Sequence, residues 1–292
     1  MHTVTAAPGR RFGRLIPFAA LLVTIVSVQF GAAFSKQLFP VLGVQRTTFV
    51  RLALGALLLA PVLKPWKMRV ARTQWPLLLL YSMVLGGMNL SFYLALRRIP
   101  LGIAVALEFI GPLGLAIGFS HRRLDLLWVA LAIAGLALLL PISQAFHHGA
   151  PPLNGLGVCF ALLAACLWAA YSLLARRIGI SHGVGIIAPA MAIAAVLMLP
   201  VAALQPGTLQ ITPHVLYAAL VMAVFSSALP YSLEMIALTG MPTRVYGTFT
   251  SLEPAFGTLM GLMLLRELPT TAQLTGIAAI IVASLGTAIF GA

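Results

Sequence analysis

Acidic side chains are almost missing from this chain: five Asp and Glu in 292 residues, against eighteen Lys and Arg. Charged residues make up 8% and hydrophobic ones 61%, and the mean hydropathy is +1.05. That leaves too little polar surface to cover a soluble domain of this size. Cysteine is equally scarce. Cys159 and Cys166 share one apolar segment, and in a helix their Cα atoms stand about 10 Å apart, beyond disulfide reach. Catalytic signatures are absent too: there is no HExxH pair, no G-x-S-x-G elbow and no clustered acidic metal motif, and the six His are scattered or lie in connectors. No catalytic residue, metal or cofactor is therefore expected, and an intramembrane enzyme is unsupported. The basic excess is spread thinly, without the basic, aromatic-rich stretch that single-strand binders use, so no nucleic-acid partner is expected.

What remains is continuous apolar sequence. Runs of about 20 apolar residues span a bilayer as helices, and the alternation that a barrel strand requires is missing. The expected class is an all-α polytopic membrane protein, with the lipid bilayer as its main partner. Ten spans are expected, near 15–35, 45–63, 75–96, 100–119, 124–141, 153–175, 183–203, 213–236, 243–264 and 270–290. The first run resembles a secretory signal peptide behind Arg10, Arg11 and Arg14, but it continues to Phe34, longer than such segments usually are. With the N-terminus inside, the inner segments hold twelve Lys and Arg and the outer segments five, leaving Arg51 within a span. The positive-inside rule then puts both termini in the cytoplasm.

The two halves echo each other. "AAFS" (32–35) recurs as "AAYS" (169–172), and Pro100 and Pro112 recur at the same separation as Pro242 and Pro254, with Asp125 opposite Glu267. Five spans per half is an odd number, so the second half enters the membrane in the opposite direction. The expected organisation is two inverted five-helix repeats, 1–142 and 151–292, joined by the polar link "SQAFHHGAPPLNG". Inverted repeats mark secondary transporters, whose sites lie near the midplane between the halves.

Several blocks carry a family likeness: "LGGMN" (85–89), "IPLGIAVALEFIGPL" (99–113), "ALPYSLEMIALTGMPTR" (228–244), "SLEPA" (251–255) and "LLRELP" (264–269). On these the chain resembles the drug/metabolite transporter superfamily in its EamA-type form, and especially the threonine/homoserine exporter branch. "SHRRLD" (120–125) departs from the pattern, having no Glu at the helix end that Glu267 marks in the second half. The resemblance implies a multi-pass protein of the bacterial inner membrane, monomeric or homodimeric, that exports small amino acids in exchange for protons. Aromatic amino acids, other metabolites or drugs are the alternative cargo.

Ionisable residues inside spans are the natural site candidates, since a charge at the bilayer centre costs at least about 2.5–3.5 kcal/mol. Glu108 lies eight residues beyond Pro100, near midspan. It can escape that cost by facing a wet cavity, pairing with a cation or staying protonated. A neutral Glu hydrogen-bonded between helices is the competing structural reading. Arg51 can take a substrate carboxylate bidentately, or form a permanent ion pair with Glu108 or Glu253. Together, an Arg and a Glu on one cavity would match both ends of a zwitterion. Glu253 precedes Pro254, which can free backbone carbonyls toward a cavity, and Glu234 lies nearer the inner end of its span. Gln29, Asn89, Tyr93 and Tyr171 complete the candidate set for substrate binding or proton coupling. Asn89 is equally suited to helix packing. The GxxxG patterns "GLAIG" (114–118) and "GTLMG" (257–261) are expected to pack internally.

Overall fold

The computed structural model describes residues 9–68, 70–118, 125–139, 153–206, 212–240 and 249–290. The expected features at 119–124 and 140–152, the start of the ninth span and Arg244 lie outside the described residues. Among those residues the protein is helical and contains no strand. The helices are α1 (Gly9–Leu42), α2 (Val44–Leu63), α3 (Trp75–Leu96), α4 (Leu101–Gly118), α5 (Asp125–Leu139), α6 (Gly155–His182) and α7 (Ile187–Ala203). Then come α8, α9 (Glu253–Leu265) and α10 (Thr271–Phe290). Helix α8 is one rod in three parts: Pro213–Ala223, a π-helical turn Val224–Ala228, and Leu229–Gly240. Among the described residues, five helices are long and apolar enough to cross a membrane, and five shorter apolar helices accompany them.

Apolar side chains cover the outside as well as the core. Leu57, Val62, Met83, Leu156, Val196 and Met263 are all exposed. In water such a surface would aggregate, whereas in lipid it is the expected exterior. Trp66 and Trp75 are exposed at the helix ends near Lys64, Lys67 and Arg72, where interfacial aromatics and cations belong.

Helix α1 differs from the expected span by running on to Leu42, through Pro40. The segment after Ser35, Lys36 and Gln37 followed by apolar residues, is helix-compatible, and a proline in the last turn removes little hydrogen bonding. Gly43 then breaks the helix with φ 76°, and its N–H closes on the carbonyl of Phe39 at 2.9 Å. Only glycine adopts that backbone freely, so one residue replaces the connector that the sequence suggested.

Helices from the two halves interleave. α3 packs on α6 and α7, α4 on α6 and α9, α2 on α7 and α8, α1 on α8 and α9, and α5 on α10. Small residues permit the closest approaches. A Cβ on Gly31 would lie 2.6 Å from Cβ of Ser226 in the π turn, and one on Gly257 would lie 3.0 Å from the Val105 side chain of α4. The second GxxxG pattern therefore packs internally. In the first, Gly114 meets nothing within 4 Å, while Gly111, one turn earlier, would place a Cβ onto the Ala165 carbonyl of α6.

This contrast predicts a paired stability result. Gly111→Ala should overpack the α4–α6 contact at a cost of about 1–3 kcal/mol, lowering the melting temperature of the detergent-purified protein. Gly114→Ala should leave it unchanged. Equal melting temperatures for the two variants would contradict the helix packing described.

Candidate functional site

The site starts with a missing hydrogen-bond donor. Pro230 has no N–H, and where this missing donor meets the change from π to α register the carbonyls of Ser226 and Phe225, four and five residues before it, are open to other partners. The π register around them is set by Leu229 N–H bonding to the carbonyl of Val224. Side chains from other helices take over the two freed carbonyls. Ser27 Oγ of α1 donates to Phe225 O at 2.6 Å, and Arg51 Nη2 of α2 donates to Ser226 O at 2.9 Å.

Arg51 is 8% exposed and is held on two further sides. Its Nη1 donates to Tyr93 Oη at 3.3 Å and its Nε to Ser227 Oγ at 3.4 Å, and its guanidinium carbon lies 5.4 Å from the Tyr93 ring centroid. Ser35 Oγ donates to the Gly31 carbonyl, so Tyr93 Oη donates onward to Ser35 Oγ at 2.6 Å. Every one of these partners is neutral. Among the described residues no carboxylate lies within 4.0 Å of the guanidinium, so the permanent ion pair that the sequence left open is not formed. Among the described residues Arg51 is hydrogen-bonded by neutral groups and has no contact ion pair, while Glu108 shares its cavity.

That charge borders a cavity of about 130 Å³ in the middle of the bundle. Seven of the eight candidate residues line it: Gln29, Arg51, Asn89, Glu108, Tyr171, Glu234 and Glu253. The eighth, Tyr93, is fully buried behind Arg51 and orients it instead of facing the cavity. Glu108 is half-buried on α4, in the wall of this space and not sealed between helices. Glu253 is the first residue of α9, where the chain resumes its helix after a turn at Ser251 and Leu252. A carboxylate at such a helix N-terminus interacts favourably with the free N–H groups. Asn89 directs Nδ2 to the Leu85 carbonyl of its own helix at 2.8 Å, so it braces α3 while its side chain also contacts the cavity. Tyr171 stacks on Tyr81 with ring centroids 5.1 Å apart.

Sequence reasoning passed over Thr24, Met88, Phe92, Ser226, Pro230 and Tyr231, which also line this space. Their one legible signal was Pro230, a midspan proline four residues after Ser226.

Along α1 the cavity contacts end at Ala32, and a second basin, of about 760 Å³, begins at Lys36 and includes Arg46 and Arg97. Ser35, bonded to Tyr93, stands between them. Beside it, Lys36 Nζ donates to Glu267 Oε1 at 2.6 Å and to the Ile99 carbonyl at 3.1 Å. The other carboxylate oxygen, Oε2, accepts the N–H of Leu101 at 2.7 Å and so caps α4. Glu267 is thus tied to α1 and α4, while Arg266 before it takes the left-handed backbone that caps α9.

Residues 155–289 match the model of the EamA-like transporter family. The threonine/homoserine exporter RhtA of Escherichia coli K12 is 46% identical over 271 residues, 93% of this chain and 90% of that protein. RhtA of Salmonella typhimurium LT2 is 45% identical with the same coverage. A crystal structure sharing 22% identity superposes with a TM-score of 0.63, covering 95% of this chain and 97% of the other, which supports the fold. On full-length identity at this level, the chain belongs to the EamA-like transporter family, alongside the RhtA exporters.

Proposed function

We propose that this protein is a secondary exporter of small neutral amino acids of the threonine and homoserine kind, driven by inward proton movement. The observation that carries the reading is the full-length likeness to exporters of those two amino acids. The cavity supplies matching chemistry. Arg51 offers a guanidinium held by neutral groups for the substrate carboxylate, and Glu108 offers a carboxylate for its ammonium. Glu108 holds either a proton or that ammonium, so the two compete and exchange across the membrane. At about 130 Å³ the space is well below the roughly 300–1,000 Å³ of pockets for drug-sized ligands. Its size favours a small amino acid over aromatic or drug cargo.

The transport frame is ten helices as two inverted five-helix repeats, 1–142 and 151–292, in a bacterial inner membrane with both termini cytoplasmic. Helix packing supports the repeat. Replacing each helix by the one five places away turns α3–α6 into α8–α1, α4–α6 into α9–α1, and α3–α7 into α8–α2, all of which pack. α2–α7, α4–α9 and α5–α10 each pair a helix with its own counterpart. On this orientation the 760 Å³ basin opens outward, and the Ser35–Tyr93 and Lys36–Glu267 contacts separate it from the substrate cavity. Alternating access then requires those contacts to part while the inner side closes.

The driving force is sufficient. One proton moving down 100 mV releases about 2.3 kcal/mol, and each tenfold of concentration costs about 1.4 kcal/mol. One proton per zwitterion therefore sustains roughly a 50-fold gradient.

Two outcomes are expected. Glu108→Gln should abolish threonine efflux driven by a proton gradient in proteoliposomes, and unimpaired uphill efflux would refute the coupling. Pro230→Ala restores an N–H that competes with Arg51 for the α8 carbonyls. It should raise the KM for threonine roughly threefold to tenfold, a loss of about one hydrogen bond, without lowering the melting temperature. An unchanged KM would mean that Pro230 does not position Arg51.

A further inference from the structure

We infer that Gln29 reads the side-chain hydroxyl of the exported amino acid, an assignment that rests on the export reading above. Gln29 is 2% exposed, borders the cavity, and its Oε1 has no hydrogen-bond partner among the described residues. A buried carboxamide oxygen without a donor is costly, and a ligand that supplies the donor removes that cost.

Position along α1 indicates which ligand group it meets. At 100° per residue, the helix turns Val28 and Ala32 toward the cavity. Gly31 lies on one flank, against the Ser226 turn whose carbonyl holds Arg51. Gln29 lies on the other flank, toward α9, where a Cβ on Gly257 would stand 3.4 Å from Oε1. With its carboxylate at Arg51, an amino acid extends its side chain away from that flank, toward Gln29.

The chemistry of the remaining groups narrows the donor. Glu108 already serves the ammonium, and a neutral amide is a poor match for a cationic side chain. A hydroxyl both donates and accepts, so it satisfies the carboxamide through either of its polar atoms. Threonine and homoserine each carry one hydroxyl, at neighbouring carbons, and removing it from either leaves the same molecule, 2-aminobutyrate. A site built to hydrogen-bond a substrate hydroxyl rejects the analogue that lacks it, because its own polar group is then left unpaired.

The test is efflux of labelled threonine from proteoliposomes of the full chain, competed by homoserine, 2-aminobutyrate and valine. The wild type should require at least about tenfold more 2-aminobutyrate or valine than threonine to compete. Gln29→Met, of similar length without the amide, should bring that ratio close to one while still carrying 2-aminobutyrate. Gln29→Asn sets the amide back by one carbon and should shift preference from threonine toward homoserine, whose hydroxyl reaches one carbon further. No discrimination in the wild type overturns the role of Gln29, as does a Gln29→Met chain that loses all four substrates equally. If Gln29→Met does not fold, an unchanged threonine-to-homoserine ratio in Gln29→Asn overturns it as well. In each of those cases export itself stands. A wild type that carries none of the four overturns the export reading instead.

Discussion

Arg51, buried inside an apolar bundle, needs hydrogen-bond acceptors, and Pro230 creates one by withholding a donor. Insertion of an arginine near the bilayer centre costs about 2.5–3.5 kcal/mol or more, and among the described residues no carboxylate pairs with Arg51 at contact distance. The Ser226 carbonyl, Tyr93 Oη and Ser227 Oγ take three of the five guanidinium N–H groups. Neutral partners are what keep the site available. A carboxylate in the same position would neutralise the cation and leave nothing for a substrate to bind.

The same arrangement couples the halves. Arg51 belongs to α2, and its acceptors belong to α3 and to the π turn of α8. Gly31 lets α1 press against that turn. In the proposed transport cycle, a shift of α8 would move the cation, and a substrate bound to the cation would in turn bias α8. Lys36 and Glu267 add a second tie between the halves, from α1 to the α9–α10 connection and the first N–H of α4. Both side chains of that ion pair are partly exposed, at 23% and 18%, so its own energy is modest. Its value is geometric, because one carboxylate fixes two helix ends.

Much of this was legible in the sequence, for a physical reason. When only five acids occur in 292 residues, each one inside an apolar run is conspicuous, and Glu108, Glu234 and Glu253 all face one cavity. Arg51 stood out in the same way. The class of fold followed from composition alone. What could not be read were contacts set by how distant helices meet. Glu267 lies 231 residues from Lys36, and nothing local marks the pair. The sequence reasoning applied the proline argument at Pro254, yet at Pro230 a serine and an arginine of other helices reach the carbonyls of the preceding turn. The single-residue joint at Gly43 was hidden because the apolar run is interrupted at Lys36, where the first span was expected to have ended, whereas the helix continues to Leu42. Tyr93 was expected at the substrate but stands behind Arg51, a distinction that depends on which side of a helix faces the cavity.

The central claim is that one cavity binds both ends of a zwitterion, the carboxylate at Arg51 and the ammonium at Glu108. Calorimetric titration of the purified protein with threonine, threoninol and N-acetylthreonine tests it most directly, since threoninol lacks the carboxylate and the acetylated form lacks the ammonium. The account predicts measurable binding of threonine and at least about tenfold weaker binding of each analogue, the loss of one charge-assisted contact. Equal affinity for all three would contradict it.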